Sequence, residues 1–371
     1  MGPETCYDRG SAMATVMRNG QQRLQAVEYL RGMAAFAVMW FHFTYSLPEG
    51  ALRTSGLYGY LGVEAFFVIS GFIIPYAMDR RDYRLGRDSL SFIARRIVRL
   101  EPPYLMSVLL ILIVPYFAGL TPWFGGTITQ HDLYRAALHF LYLVPWAGEN
   151  WYSAVYWSLA IEFQYYFLIF AAAPLLLYRN NLWPQRAFLL AAALVSCLSN
   201  EARLVFMYLP VFGFGFVQFL FMRRGMALWE GLAWMLLFGA VTLRQDEPWV
   251  IGAVIAVAAL NAPLPAHWSA RCPPLLFLGT VSYSLYLLHG SIGYCVGEIL
   301  SRAGSFSPEL GLFIQIAVTL LLASGFWWLV ERPSTALSQT IGRVASRLMA
   351  KSPGPQPPAA ADCASAPASL A

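Results

Sequence analysis

The chain has 371 residues, of which 58% are hydrophobic and only 12% are charged, and its formal net charge is +5. Because an ordinary soluble domain has about 25% charged residues, this composition argues against a soluble enzyme and predicts a polytopic membrane protein. The small net charge says little about partners; we expect the lipid bilayer to be one and nucleic acids to be none. The cysteines are scattered, without a CxxC pair or a metal-type spacing, so we expect no metal site; they are Cys6, Cys197, Cys272, Cys295 and Cys363.

Apolar segments recur along the chain and predict an all-α bundle of about ten transmembrane helices. A polar segment, 1–27, comes first and lacks the apolar core of a cleaved signal peptide. The membrane domain is predicted to span 28–335, with an aromatic stretch at 131–146 that is interfacial or re-entrant, and 336–371 to form a disordered tail. The predicted spans are 30–47, 57–78, 102–120, 152–178, 187–200, 204–222, 227–243, 248–261, 275–297 and 310–330.

The basic residues are divided unequally between the two sides of this bundle. With both termini in the cytoplasm, all but five of the 25 Lys and Arg residues fall on the cytoplasmic side. This bias follows the positive-inside rule, and a missed span would have scrambled it, so it supports ten spans with both termini cytoplasmic. The five on the other side are Arg53, Arg135, Arg203, Arg244 and Arg302.

The first span, EYLRGMAAFAVMWFHF, carries Arg31 near its inner end and His42 deeper, toward the outer half. Eleven residues separate them, so on a helix they share one face to within roughly 20° and lie about 16 Å apart along the axis. An ionisable group inside a membrane span usually faces a bundle interior or a watery cavity. The alternative is that Arg31 snorkels to the inner surface and His42 bonds a neighbouring helix.

The second span, YLGVEAFFVISGFIIPYAM, carries Glu64 at about the depth of His42. The similar depth makes an imidazole–carboxylate pair a reasonable hypothesis, because a buried carboxylate can fix the tautomer of a histidine and stabilise its cation. A purely structural buried pair explains the spacing equally well.

The next cytoplasmic segment, FIARRIVRLEPPYL, places Arg95, Arg96 and Arg99 on one face of a helix at the mouth of the third span. Arginine forks bind phosphates, and several together suit a polyphosphate ligand. The alternative is an ordinary positive-inside anchor. The break at Pro102-Pro103 favours a shaped mouth.

Two later spans add polar side chains at membrane depth. YWSLAIEFQYYF contains Trp157 and Glu162, and LGTVSYSLYLLHG contains Tyr283 and His289. Rings with polar tips beside a carboxylate suit a carbohydrate-binding site, which makes these four residues candidates for substrate binding. An aromatic belt would also explain the rings, and His289 would also fit a packed core histidine.

Taken together, these segments resemble the motifs of the acyltransferase 3 family. LRGMAAFAVMWFH resembles its Arg/Lys-x10-His signature, and GVEAFFVISGFII resembles GVDxFFVLSGFL, with Glu64 where Asp is commoner. FIARRIVRLEPPY is similar to FxxRRxxRixPxY, WSLAIEFQYY to WSLxxExxFY, and SYSLYLLH and ERP to the last segments. The resemblances occur in the family's order across about 22–335.

The resemblance implies a membrane-bound O-acyltransferase that uses cytoplasmic acyl-CoA, most simply acetyl-CoA, as its co-substrate. The acceptor would be a hydroxyl of a cell-surface or exported carbohydrate at the bacterial inner membrane. It also implies that His42 is essential, that Arg31 is its partner, and that Arg96 and Arg99 lie near the CoA phosphates. His42, oriented by Glu64, would act as a general base, or would carry the acyl group as a covalent intermediate.

Two functions of other classes compete with this interpretation. A transporter or flippase of a lipid-linked sugar would also have about ten spans with intramembrane carboxylates, but it predicts an inverted repeat, and we find none in the sequence. A catalytically inactive subunit of a polysaccharide assembly is the third alternative. The presence of Arg31, His42, Arg96 and Arg99 argues against it.

Overall fold

A computed structural model of the chain describes residues 4–79, 89–118, 129–178, 180–244, 248–262, 273–303 and 307–350. This part of the chain is helical and contains no strand. Turns of π-helix, His289–Gly293 and Trp327–Glu331, join α11 to α12 and α13 to α14. The helices are α1 (Glu4–Tyr45), α2 (Ala51–Gly56), α3 (Gly62–Asp79), α4 (Ser89–Ala118), α5 (Gln130–Phe140), α6 (Tyr156–Leu176), α7 (Trp183–Leu198), α8 (Val205–Arg224), α9 (Leu228–Leu243), α10 (Trp249–Asn261), α11 (Pro273–Leu288), α12 (Tyr294–Ala303), α13 (Pro308–Phe326) and α14 (Arg332–Ala350).

The helices agree with a protein that crosses a membrane several times. Each predicted apolar segment falls on a helix, and the predicted interfacial stretch contains the short amphipathic helix α5. The helices α7, α9 and α10 are apolar but shorter than a usual span. Among the described residues, five helical stretches are long and apolar enough to cross a membrane: Ala51–Asp79, Tyr156–Leu176, Val205–Arg224, Pro273–Leu300 and Pro308–Val344. The count of ten spans and the cytoplasmic placement of both termini stay predictions.

The two ends of the chain are more helical than the sequence predicted. Helix α1 begins at Glu4, so the polar N-terminal segment and the first predicted span form one helix. Helix α14 continues to Ala350, where disorder was predicted from residue 336. It is amphipathic and packs along α4, where the Ser338 hydroxyl donates to the Arg95 carbonyl over 2.8 Å. The rest of the predicted tail, 351–371, lies outside the described residues.

Close backbone contacts bring together the helices that carry the candidate site residues. Helix α1 packs on α11 through Gly32 and Gly279, where an added Cβ would lie 2.6 Å and 2.5 Å from backbone atoms of the other helix. Helix α3 packs on α8 in the same way through Gly71 and Gly215. Small residues allow such close approach between membrane helices. The contacts set the positions of the polar side chains on α1, α3 and α11.

Ion pairs join the ends of α3 and α8. Asp79, the last residue of α3, is buried and accepts from Arg223 Nη2 at 3.1 Å and from Arg224 Nη2 at 2.8 Å. The two guanidinium groups offset the free-energy cost of removing the Asp79 carboxylate from water. The pairs are consistent with a fixed register between α3 and α8.

Candidate active site

A long cavity of 1220 Å³ lies among α1, α3, α4, α6, α11 and α14. Val63 and Met78, which are fifteen residues apart on α3, both line it, and at 1.5 Å per residue this gives a length of about 22 Å. The volume exceeds that of a typical small-molecule pocket, so the cavity suits a larger, elongated ligand. Arginines from three helices line one end, which we call the arginine end: Arg31, Arg95, Arg96, Arg99 and Arg343.

The arginine end carries an excess of positive charge. Arg99 lies within electrostatic range of Arg31, Arg96 and the buried Glu331. The backbone N–H and the hydroxyl of Ser284 donate to the Glu331 carboxylate over 3.1 and 2.6 Å, which fixes its position. This carboxylate offsets only part of the charge of three guanidinium groups. Arg96 and Arg99 share one face of α4 because they are three residues apart, and the group as a whole favours an anionic ligand.

Helix α14 completes the arginine end. Arg343 and Gly342 line the cavity from α14, opposite Arg95 on α4. The fit is close, since a Cβ added to Gly342 would lie 2.8 Å from Arg95 Cδ. The Arg343 guanidinium also donates to Thr340 Oγ1 over 3.1 Å. The helix that sequence analysis assigned to a disordered tail is therefore a wall of the cavity.

The middle of the cavity is lined by two of the predicted substrate-binding residues. Glu162 accepts hydrogen bonds from the hydroxyls of Ser70 and Tyr166, and Tyr166 also lies beneath the Arg96 guanidinium, 5.1 Å from ring centroid to Cζ. The Tyr283 hydroxyl donates to a backbone carbonyl of α4 over 2.9 Å. Both Glu162 and Tyr283 line the cavity, but these bonds also hold the surrounding helices together.

Trp157 lies outside the cavity. Its ring packs edge-on against Phe67 at 6.2 Å and near Tyr208 at 5.5 Å, in an aromatic cluster between α3, α6 and α8. Of the four predicted substrate-binding residues, only Glu162 and Tyr283 line the cavity. Trp157 and His289 lie outside it.

Two histidines meet just beyond the other end of the cavity. Ser158 and Tyr286 line this end, and their hydroxyls lie 2.7 Å apart. The His289 ring is 5.7 Å from the Tyr286 ring and 5.2 Å from the His42 ring, centroid to centroid. The Tyr294 hydroxyl lies 3.3 Å from His42 Nδ1. We call His42, His289 and Tyr294 the histidine cluster. The sequence did not predict that these three side chains contact one another.

The π-helical turn explains how the histidine cluster forms. His289 and Tyr294 are five residues apart, which in an α-helix places them on different faces. In the π-helical turn His289–Gly293 the hydrogen bonds run between residues five apart, so residues with this spacing lie close to one face. Both side chains therefore meet His42 on α1. Turns of this kind often occur at functional sites.

The predicted pairing of His42 with Glu64 is not among the contacts that the described residues show for His42. Glu64 is buried on α3, and its Cβ would lie 3.0 Å from a Cβ added to Gly252 on α10. His42 instead contacts Tyr294 and His289. The depth of a residue in the membrane can be estimated from its position in the span. Which neighbouring helix its side chain faces depends on how the helices pack. Glu64 faces α10 because α3 packs between α1, α8 and α10.

Sequence reasoning did not assign several residues of the site, among them Tyr294, Ser70, Tyr166 and Arg343. Tyr294 was missed because a π-helical turn cannot be recognised from periodicity. Ser70 and Tyr166 lie in motifs from which other residues were selected as candidates. Both donate to the Glu162 carboxylate, and this role depends on tertiary contacts. Arg343 could have been found, because basic and apolar residues alternate with helical spacing after residue 332.

The sequence of the chain matches a known family over most of its length. The sequence model of the acyltransferase 3 family, described as "Acyltransferase domain", matches residues 24–332. The chain belongs to the acyltransferase 3 family. It is therefore a multi-pass membrane acyltransferase that transfers acyl groups other than aminoacyl groups. The match ends at Arg332, so most of α14 lies beyond it.

Curated relatives of this acyltransferase come from several sources. Nodulation protein 10 of Rhizobium leguminosarum bv. viciae is 25% identical over 94% of this chain and 99% of that protein. ORF330 of Acidianus two-tailed virus is 24% identical over 80% of this chain and 92% of that protein. The peptidoglycan O-acetyltransferase OatA of Listeria monocytogenes is 22% identical over 86% of this chain but only 57% of that protein. No solved structure matches the chain.

Proposed function

We propose that this acyltransferase moves an acyl group, with acetyl as the simplest case, from acyl-CoA to a hydroxyl of a cell-surface or exported carbohydrate. The acyl-CoA enters at the arginine end from the cytoplasm, and the acceptor approaches the histidine cluster from the other side of the bacterial inner membrane. The observation that carries the proposal is the order along one cavity: arginines at one end, and hydroxyls followed by two histidines at the other.

The cavity has the chemistry that acyl-CoA requires. Its phosphates are matched by the guanidinium groups of Arg31, Arg96 and Arg99 on α1 and α4, with Arg95 and Arg343 at the contact between α4 and α14. Arginine forks bind phosphate oxygens in pairs, which gives both affinity and orientation. The walls between the two ends are largely apolar, including Phe66, Ile69, Ile73 and Leu159, and suit the slender pantetheine arm. An arm lying in this cavity would carry its thioester toward Tyr286 and Ser158.

The histidine cluster provides the base for the acyl transfer. His42 is partly exposed, so a hydroxyl from the acceptor side can reach it. In the direct route, His42 takes the proton of that hydroxyl while its oxygen attacks the thioester carbonyl and the carbon–sulfur bond breaks. General base catalysis of this kind contributes about 10²–10⁴-fold, and holding the two reactants in position contributes much of the rest. A covalent acyl-histidine route uses the same residue.

A carbohydrate acceptor is supported by a relative and by the site. OatA of Listeria monocytogenes is named as a peptidoglycan O-acetyltransferase. In the structure of this chain, His42 is partly exposed beyond the end of the cavity, where a sugar hydroxyl can reach it. The transporter alternative has no comparable support, because a transporter does not need a base aligned with a phosphate-binding end.

The test is acyl transfer in membranes that contain the wild-type chain or the His42→Ala variant. Radiolabelled acetyl-CoA is supplied and the glycan fraction is extracted. We expect label in the wild type and a loss of at least about 100-fold in the variant, because the base is removed. A matched control is His131→Ala, since the His131 side chain is 60% exposed on α5 and its neighbours, Glu149 and Tyr134, do not line the cavity.

The outcomes separate the competing functions. Label in the wild type and the control, but not in His42→Ala, supports both the donor and the role of His42. Label in all three would show that His42 is not required for acyl transfer. No transfer in the wild type from acetyl-CoA or from longer acyl-CoA donors would argue for the transporter.

A further inference from the structure

His289 has an unused basic nitrogen in the interior of the protein. Its side chain is completely buried, and its Nδ1 lies 3.0 Å from the Leu285 carbonyl. A carbonyl only accepts, so Nδ1 carries the proton and Nε2 carries the lone pair. Within the described part of the chain, Nε2 has no hydrogen-bond partner. A buried polar atom left without a partner destabilises the fold, so it requires an explanation.

His139, a second buried histidine among the described residues, shows the contacts of a histidine with a structural role. His139 on α5 is also completely buried, but its Nδ1 donates to the Arg135 carbonyl at 2.8 Å and its Nε2 accepts from the Tyr152 N–H at 3.2 Å. Both nitrogens of His139 are therefore satisfied by backbone groups. His289 is satisfied on one side only, which indicates that its Nε2 is kept available.

The same reasoning assigns a lone pair to Nε2 of His42. The Tyr294 hydroxyl donates to the His42 carbonyl over 3.3 Å, so its oxygen accepts from Nδ1–H of the same histidine, also over 3.3 Å. Both histidines thus present a basic Nε2. Their rings are 5.2 Å apart, which is close enough for a modest side-chain rotation to let the two nitrogens share a proton.

The position of His289 suits proton transfer between the two substrates. In the proposed reaction the acceptor hydroxyl loses a proton near His42, while the thiolate of CoA forms at the cavity end lined by Tyr286 and Ser158. His42 does not line the cavity, and the His289 ring lies between the rings of His42 and Tyr286. His289 therefore offers a route for the proton from His42 to the end of the cavity where the thiolate forms.

We propose that His289 is a second proton-transfer residue that passes the proton from His42 to the Tyr286–Ser158 hydroxyl pair. The acceptor oxygen bonds to the acyl carbon, the carbon–sulfur bond breaks, and the hydroxyl proton moves to His42. His42 gives it to Nε2 of His289, which gives it to Tyr286 as Tyr286 donates its own proton to the thiolate. Both imidazoles return to their neutral forms, and the products are an ester and CoA thiol. This inference rests on the proposed acyl transfer.

The test uses two substitutions that separate the two nitrogens. His289→Asn keeps an amide N–H that can donate to the Leu285 carbonyl but lacks the basic Nε2. His289→Ala leaves a space that a small heterocycle can enter. We expect both variants to lose about 10²–10⁴-fold in kcat while the KM for acetyl-CoA changes less than about threefold. His131→Ala is the control and keeps wild-type kcat.

Chemical rescue distinguishes proton transfer from packing. Imidazole added to His289→Ala should restore part of kcat, whereas thiazole, which has nearly the same shape but is a much weaker base, should not. Rescue by both compounds, wild-type kcat in His289→Asn, or loss of acetyl-CoA binding by both variants would each overturn the inference while leaving the acyl transfer of the wild type intact. Absence of transfer in the wild type would overturn the proposed function itself.

Discussion

Arg96 and Arg99 are the residues whose substitution tests the phosphate-binding role of the arginine end. Both line the cavity, and Arg99 lies close to Arg31, so an anion that binds here relieves repulsion between like charges. A charge-assisted hydrogen bond contributes about 1.5–3 kcal/mol. We therefore expect Arg99→Gln and Arg96→Gln each to raise the KM for acetyl-CoA about 10- to 100-fold, with a smaller effect on kcat at saturation.

Steady-state kinetics in membranes measure this effect, with Arg53→Gln as the control. Arg53 lies on α2, where its guanidinium stacks on Tyr45 at 5.4 Å, away from the cavity. An unchanged KM in the Arg96 and Arg99 variants would make these residues membrane anchors, which was the alternative that the sequence allowed.

His139 should make the stability of the protein depend on pH. Burial lowers the pKa of His139 to about 4 from its usual 6.5, although its hydrogen bond to the Arg135 carbonyl opposes the shift. A neutral folded-state histidine stabilises the protein fully above pH 6.5, and this contribution is lost as the pH falls through 4. We expect the unfolding temperature of detergent-solubilised protein to fall over this range.

The variant His139→Gln isolates that contribution. It should be less stable than the wild type at pH 7, by about 1–3 kcal/mol, because buried backbone groups lose their partner. Its unfolding temperature should also fall less between pH 6.5 and 4 than that of the wild type. His131→Gln, at an exposed position, should keep the wild-type pH dependence. Parallel curves for the wild type and His139→Gln would contradict the assignment.

At the scale of helices, α14 is the element that extends the acyltransferase beyond the family match. Arg343 is more accessible to water than the arginines deeper in the cavity, so salt should screen its interaction with a phosphate more strongly. We expect Arg343→Gln to weaken acetyl-CoA binding about tenfold at low ionic strength and about twofold at 0.5 M salt. The loss in Arg99→Gln should persist at high salt.

Equilibrium binding of labelled acetyl-CoA to purified protein at the two salt concentrations measures this difference. Thr340 supplies a control, because Thr340→Ala removes a hydroxyl that accepts from Arg343 and donates to the Ala336 carbonyl but keeps the charge of Arg343. Equal losses of acetyl-CoA affinity at both salt concentrations would indicate that Arg343 binds the phosphate in a buried contact. No loss of affinity at either concentration would show that Arg343 on α14 does not contribute to donor binding.

The helices were predictable from the sequence, but the way their faces meet was not. Apolar segments predicted the membrane helices with their approximate bounds, but not α2, α14 or the polar first half of α1. The eleven-residue spacing predicted that Arg31 and His42 share one side of α1. Similar depth suggested that Glu64 meets His42, yet α3 turns Glu64 toward α10. Periodicity also assumes a regular α-helix, so it could not show that a π-helical turn brings His289 and Tyr294 to His42.

At the scale of the whole molecule, the proposed reaction depends on sidedness. The arginine end must face the cytoplasm, where acyl-CoA is made, and the histidine cluster must open toward the other side. The distribution of basic residues predicts which end faces the cytoplasm. Most of the 25 basic residues fall on the side of the arginine end if both termini are cytoplasmic, as the positive-inside rule requires.

Cysteine labelling tests this orientation directly. In a variant with the native cysteines replaced by serine, Arg53→Cys introduces a thiol at α2 and Arg343→Cys introduces one on α14. A membrane-impermeant maleimide should label position 53 in intact spheroplasts, because α2 follows the outer end of the first span. Position 343 should react only after the membrane is opened. Labelling of position 343 in intact spheroplasts would show that the arginine end faces away from the cytoplasm, where acyl-CoA is made. The cavity would then have to bind its anion from outside the cell.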